Sequence, residues 1–167
     1  MPYDFSQLSV LVIEDNLWMR RLLHDVLDGF EIKSVRTAPD GHQALDMLSV
    51  EEPDVIIADW RMEPTDGIEF TRAVRRGEGG ISPFTPIIML TGHTELERVA
   101  EARDAGVTEF LAKPVTAKAL YSRLVAIVER PRPFVRGPDF VGPDRRRRRD
   151  PDFAGRDRRD DVDTIDL

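Results

Sequence analysis

Four short apolar runs, each followed by polar or charged residues, constrain the fold of this chain more than any other feature. They occupy residues 10–13, 55–58, 86–90 and 109–112. Runs of this length that are rich in Val, Ile and Leu predict buried β-strands. The residues that follow them include Glu14, Asp15, Asp59, Thr91 and Lys113. Because the carboxyl ends of parallel strands share one edge of a sheet, these five side chains are expected to meet at one site.

Segments with helical periodicity alternate with these runs. We predict strands at about 8–13, 32–36, 54–58, 86–90 and 108–112, and helices at about 16–28, 40–49, 66–77, 94–105 and 116–129. The apolar stripe of the first helix comprises Leu17, Leu22, Leu23, Val26 and Leu27. Thr116 is the expected N-cap of the last helix. Five β–α units in succession predict the α/β class, with a doubly wound, five-stranded parallel sheet covered by helices on both faces.

The composition fits one domain with an appendage. The chain has 167 residues, 41% of them hydrophobic, and no cysteine, which excludes disulfides and thiolate chemistry and fits a reducing compartment. No apolar stretch approaches the ~18 residues of a membrane span, and no signal peptide is recognised at the N-terminus. These features predict a cytoplasmic protein.

The composition changes after residue 130. Residues 131–167 hold ten arginines and nine aspartates and few apolar residues, so we predict a folded domain at 1–130 and a disordered, flexible tail at 131–167. The remainder of the chain holds 14 basic and 22 acidic residues. An acidic body argues against nucleic-acid binding by the domain itself.

The acidic edge predicts phosphoryl chemistry. Glu14, Asp15 and Asp59 converge if the first and third strands are neighbours, and three carboxylates repel one another unless a cation neutralises them. Oxygen ligands with room for waters suit Mg²⁺. An ionised Asp59 is a competent nucleophile toward phosphorus, while Lys113 and Thr91 offer an ammonium and a hydroxyl to a phosphoryl group.

Together these residues resemble the receiver domain of two-component response regulators of the chemotaxis type, over about residues 8–129. The resemblance implies the flavodoxin-like strand order 2-1-3-4-5. It also implies phosphorylation of Asp59, direct Mg²⁺ ligation by Asp15 and by the Arg61 carbonyl, and a mainly water-mediated contact from Glu14. Thr91 and Lys113 would bind the phosphoryl group.

The resemblance carries further implications for the switch and the partners. Phe110 matches the switch aromatic of the family; as a Phe it can pack inward but has no hydroxyl to use. The phosphodonor would be a sensor histidine kinase or a phosphotransfer protein, and the output would pass to a protein target. Such a chain is not an enzyme beyond its own phosphorylation and dephosphorylation.

The tail contains a repeat of the pattern F-x-G-x-D-R-R, at 140–146 and 153–159. Arginine recognises guanine O6 and N7 and also phosphate, whereas aspartate can accept from the guanine N–H edge. The tail resembles the arginine-rich extension of chemotaxis-type receivers that act as cyclic di-GMP effectors on motility components. The implied contacts are Asp144, Arg145, Arg146, Asp157, Arg158 and Arg159.

Two alternatives remain open at this stage. In one, the chain is a plain phosphorelay shuttle whose tail only solubilises it. In the other, the arginines at 145–149 contact nucleic acid or an acidic protein, although the interspersed aspartates disfavour a polyphosphate backbone.

Overall fold

The computed structural model of this chain describes residues 3–144 and 163–165. Five strands and five α-helices alternate in residues 9–129. The strands are β1 (Ser9–Ile13), β2 (Ser34–Ala38), β3 (Val55–Asp59), β4 (Ile87–Thr91) and β5 (Glu109–Ala112). The helices are α1 (Leu17–Gly29), α2 (Gly41–Leu48), α3 (Gly67–Arg75), α4 (Val99–Ala105) and α5 (Ala117–Glu129).

The strands form one parallel sheet in the order β2-β1-β3-β4-β5, which confirms the predicted fold and topology. β1 and β3 pair in register, with Ile13 opposite Ala58, so the residues that follow them, Glu14 and Asp59, emerge side by side. Strands β3 and β4 are buried along their whole length, as expected for a sheet covered on both faces.

The helices follow the predicted pattern with two differences. On α1, Leu23 and Leu27 are fully buried, whereas Leu17 and Leu22 are 45% and 49% exposed. Leu23 and Leu27 are four residues apart and share one face of the helix, and neither Leu17 nor Leu22 is spaced by three or four residues from Leu23. The predicted fourth helix begins as a 3-10 turn (His93–Arg98) before α4, and no side chain caps the start of that turn. The cap predicted for the last helix is present, since the Thr116 hydroxyl accepts from the Ala119 amide at 3.2 Å.

Part of the segment whose composition predicts disorder is folded against the domain. Strands β6 (Phe134–Arg136), β7 (Val141–Pro143) and β8 (Asp163–Ile165) form an antiparallel sheet in the order β7-β6-β8. Arg132 fastens β6 and β7 to the start of β5, because its Nη1 donates to the Thr108 carbonyl at 3.0 Å and its Nη2 to the Asp144 carbonyl. The hairpin therefore lies at the amino end of the parallel sheet.

A buried arginine forms the seat of this hairpin. Arg75 donates from Nη1 to the carbonyls of Pro83 and Thr85 at 2.8 and 2.7 Å, and from Nε and Nη2 to the Gly106 carbonyl at 3.0 and 2.8 Å. Burial lowers the pKa of Arg75 to about 9, so the side chain is still charged at neutral pH. The Phe134 ring lies 4.9 Å from its Cζ and packs edge-on against Phe84. The buried Phe134 ring therefore anchors a segment whose composition is otherwise largely polar.

Within the part of the chain that the structure describes, no helix combines the length and apolar character that crossing a bilayer requires.

Replacing Phe134 by Ala should lower the free energy of unfolding by about 3–5 kcal/mol, because the ring is 1% exposed and its loss opens a cavity beside a buried guanidinium. Urea unfolding of the full chain measures the change. Val50→Ala is the control, since Val50 is 86% exposed, and its effect should stay within about 0.5 kcal/mol. Equal stability of the Phe134 variant and the parent would show that the hairpin is not docked in solution.

Candidate functional site at the carboxyl end of the sheet

The carboxyl ends of four adjacent strands carry the residues that the sequence singles out. Glu14 and Asp15 follow β1, Asp59 ends β3, Thr91 ends β4, and Lys113 follows β5. The last two strand ends are joined by the backbone, since the Lys113 amide donates to the Thr91 carbonyl at 2.8 Å. Parallel pairing in register brings these residues to one edge, as predicted.

Three carboxylates and one ammonium form the centre of the site. One carboxylate oxygen from each of Glu14, Asp15 and Asp59 lies within 4.8 Å of the others. Glu14 and Asp59 are 1% and 4% exposed, whereas Asp15 faces solvent. Lys113 Nζ lies 2.8 Å from Asp59 Oδ1 and 3.7 Å from Glu14 Oε2. The first distance is a charge-assisted hydrogen bond, and the second is too long for a hydrogen bond.

Among the described residues, only one of the two carboxylate oxygens of Glu14 accepts a hydrogen bond. Its Oε1 accepts from the Asn16 amide at 3.1 Å, and its backbone carbonyl accepts from Arg20 Nη1 at 2.7 Å. Its Oε2 is buried and has no hydrogen-bond donor among the described residues. A buried carboxylate oxygen without a donor is costly and indicates a position where a cation or a water would bind.

The electrostatics reflect this shortage of positive charge. Burial, together with the nearby Asp59 carboxylate, raises the pKa of Glu14 from 4.5 to about 7. Burial also raises the pKa of Asp59, although its hydrogen bond to Lys113 opposes the shift. For Lys113, burial lowers the pKa, but the attraction of Asp59 and Glu14 outweighs burial and leaves the pKa raised.

These residues fit a hard divalent cation. Three carboxylates with one solvent-facing member supply the oxygen ligands and the open side that Mg²⁺ prefers. Arg61, whose carbonyl the resemblance implies as a ligand, lines a cleft of about 360 Å³ together with Asp15. The orphaned Glu14 Oε2 is the observation that an ion or an ion-bound water would explain.

Two aromatic residues next to the site take different places. Trp60 is 2% exposed and packs with Ile68 and Met89. Phe110 is partly buried and packs against the same cluster, while its carbonyl accepts from Arg123 Nε at 2.8 Å. It therefore already faces inward in part, and its switching role stays a prediction.

Of the predicted tail contacts, Asp144 is the one that the structure describes, and it lies away from this site. Asp144 follows β7 at the opposite end of β5, and its amide donates to the Pro133 carbonyl at 2.7 Å. Arg145, Arg146, Asp157, Arg158 and Arg159 lie outside the described residues.

Sequence reasoning missed two neighbours of the site. Asn16 serves both as the N-cap of α1, accepting from the Met19 amide at 3.0 Å, and as a donor to Glu14. Its position between an acidic pair and an apolar helix is a recognisable cap signal. Glu95, from the 3-10 turn after β4, is buried beside Arg61, and no local pattern indicates this contact.

Comparison with known proteins agrees with this fold and site. The family model for the response regulator receiver domain matches residues 10–125. The chain is 32% identical over 125 residues to chemotaxis protein CheY-3 of Vibrio cholerae serotype O1, which covers 75% of this chain and 95% of that protein. This chain belongs to the response regulator receiver domain family.

Solved structures give the same result. The crystal structure of Vibrio cholerae chemotaxis protein CheY4 has a TM-score of 0.64 and 35% identity, covering 70% of this chain and 95% of that one. The receiver domain of a sensor histidine kinase from Pseudomonas aeruginosa PAO1 has a TM-score of 0.61 and 28% identity, covering 71% and 94%. That structure holds a magnesium ion coordinated in its active site cleft.

The raised pKa of Glu14 predicts how stability depends on pH. Because its pKa of about 7 in the folded protein exceeds the ordinary 4.5, folding favours its protonated form. The contribution is complete below about pH 4.5 and is lost as the pH rises through 7, so ion-free protein should lose about 1 kcal/mol between pH 6 and 8.

Urea unfolding at these two pH values, with EDTA or with millimolar Mg²⁺, measures the effect. Mg²⁺ should stabilise the protein more at pH 8 than at pH 6, because it competes with the proton for the carboxylates. The variant Glu14→Gln should lose most of the pH dependence. An unchanged slope in that variant would assign the titration to another group.

Proposed function

We propose that this receiver accepts a phosphoryl group on Asp59 and passes the signal on by binding a protein partner. The observation that carries the proposal is the hydrogen bond of 2.8 Å between Lys113 and a buried Asp59, within a cluster of three carboxylates. The Lys113 ammonium stabilises the Asp59 carboxylate. One ammonium does not balance three carboxylates, so the site still lacks positive charge.

The residues divide the chemistry between them. A carboxylate oxygen of Asp59 attacks phosphorus, a new P–O bond forms, and the bond to the donor breaks with its electron pair leaving on the donor. Lys113 then neutralises a phosphoryl oxygen, and Thr91 at the next strand end offers its hydroxyl as a donor. Asp15, Glu14 and the Arg61 carbonyl would hold Mg²⁺, which supplies positive charge for the phosphoryl oxygens.

The likeness to chemotaxis proteins supports the choice of partners. The donor would be a sensor histidine kinase or a phosphotransfer protein, and the recipient would be a protein target, with a motility component as the first candidate. A phosphorelay shuttle, in which the phosphoryl group returns to a second histidine, is the alternative that uses the same site.

We further propose that the tail binds cyclic di-GMP through its D-R-R units. Support comes from the duplicated F-x-G-x-D-R-R pattern, whose first copy runs through β7 and whose Asp144 carbonyl is held by Arg132. Guanidinium groups can pair with guanine O6 and N7 or with phosphate, and a carboxylate can accept from the guanine N–H edge. A ligand with two guanines and two phosphates matches two such units.

Asp59→Asn should abolish phosphoryl uptake from acetyl phosphate with Mg²⁺, because an amide is not a nucleophile. Intact-protein mass spectrometry measures the added phosphoryl group. Asp54→Asn is the matched control, since Asp54 precedes the same strand at its other end and bonds to Ser9. Uptake by the Asp59→Asn variant at the parental rate would refute the assignment.

Isothermal titration with cyclic di-GMP tests the tail. Changing Arg145 and Arg146 together to Ala should weaken binding by about 10-fold or more, since each charge-assisted hydrogen bond contributes about 1.5–3 kcal/mol. Changing Arg148 and Arg149 to Ala removes the same charge outside the repeat and is the matched control.

Equal losses in the two double variants would indicate bulk charge rather than recognition. No binding by the full chain at tens of micromolar ligand or so would leave the plain receiver. Tighter binding to a random oligonucleotide, with a steep salt dependence, would favour nucleic acid instead.

A further inference from the structure

A buried carboxylate at the mouth of the site has none of the roles described above. Glu95 is 4% exposed and lies in the 3-10 turn after β4. Its Oε1 forms an ion pair with Nε of Arg61, whose side chain is 72% exposed and which follows Asp59 by two residues. The pair therefore joins the loop after β3 to the loop after β4.

The backbone is shaped to admit this carboxylate. A Cβ at Gly92 would lie 2.8 Å from Glu95 Oε2, so the absence of a side chain there makes room for it. The Glu95 amide also donates to the Gly92 carbonyl at 3.2 Å. Glu95 is thus held directly against the residue that follows Thr91.

Arg61 lies two residues after Asp59 and borders a cleft next to the site. It shares the cleft of about 360 Å³ with Asp15, whose carboxylate lies within 4.8 Å of that of Asp59. A phosphoryl group on Asp59 would bring a charge of about −2 close to this cleft. Such a group attracts the Arg61 guanidinium and repels the Glu95 carboxylate.

We propose that Arg61 exchanges Glu95 for the phosphoryl group, and that Glu95 is a latch opposing this exchange. The inference rests on the proposed phosphorylation of Asp59. Once Arg61 leaves, a buried carboxylate has lost an ionic partner, which is strongly unfavourable unless the segment moves. The 3-10 turn (His93–Arg98) is then released, and phosphorylation is coupled to the start of α4. Glu95 acts here as a positioning residue.

A mutant cycle on binding of beryllofluoride with Mg²⁺, a phosphoryl mimic, tests the latch. Glu95→Gln keeps the shape and removes the charge that pairs with Arg61, so the mimic should bind about fivefold tighter, the size of effect expected for one partly exposed ion pair. Arg61→Gln should bind it about fivefold more weakly. The double variant should match Arg61→Gln, because the latch requires the pairing of Glu95 with Arg61.

Isothermal titration of the full chain measures these affinities, and Glu101→Gln is the matched control. Glu101 pairs with Arg98 and Arg72 rather than with Arg61, so its loss should leave the affinity unchanged. If Glu95→Gln tightens binding equally with and without Arg61, the carboxylate acts by direct repulsion and the latch is wrong. If Glu95→Gln does not tighten binding, the latch is also wrong.

The outcomes separate this inference from the proposed function. A parent chain that binds beryllofluoride and takes up phosphate, but shows no coupling between Arg61 and Glu95, keeps its phosphoryl chemistry and loses the latch. A parent chain that does neither loses both.

Discussion

Two buried carboxylates share one ammonium, and this imbalance governs the carboxyl end of the sheet. Lys113 is bonded to Asp59 and lies too far from Glu14 to satisfy it, so one carboxylate oxygen has no donor among the described residues. Burying an unbalanced charge lowers stability. Proteins keep such a charge mainly where it serves a functional site. The strand order that sets β1 beside β3 creates the imbalance, and the chemistry proposed for Asp59 makes use of it.

The amino end of the sheet handles a buried charge in another way. Arg75 is surrounded by backbone carbonyls and by the face of Phe134, so its acceptors are fixed dipoles rather than ions. Because backbone carbonyls accept the hydrogen bonds of the guanidinium, this end of the sheet is suited to a fixed structural contact. The contrast separates an end of the sheet suited to binding ions from an end that anchors the hairpin.

The sequence predicts the sheet well because its information is local. Each buried run, such as residues 55–58, predicts a strand without reference to the rest of the chain. Thr116 predicts the start of its helix because an N-cap is a short-range signal. Parallel pairing then brings Glu14, Asp59 and Lys113 together with no further information. The family resemblance adds the assignment of roles.

The features that escape prediction depend on contacts between distant residues. Phe134 lies in a polar, proline-rich stretch, and its burial follows only from Arg75 and Phe84, which are far away in the chain. Composition averaged over residues 131–167 therefore predicts disorder where residues 134–143 form a hairpin. The Arg61–Glu95 pair is hidden for the same reason, since two exposed-looking charges give no sign that one of them is buried.

The hairpin and the turn before β5 approach each other so closely that two glycines, Gly106 and Gly142, have no room for a side chain. A Cβ at Gly142 would lie 2.9 Å from the Cα of Gly106, and a Cβ at Gly106 would lie 2.9 Å from the Val141 carbonyl. Neither position can acquire a side chain unless the other segment moves. Relatives that carry this hairpin should therefore keep both glycines, and Gly106 is constrained a second time because its φ of 104° is a left-handed backbone conformation.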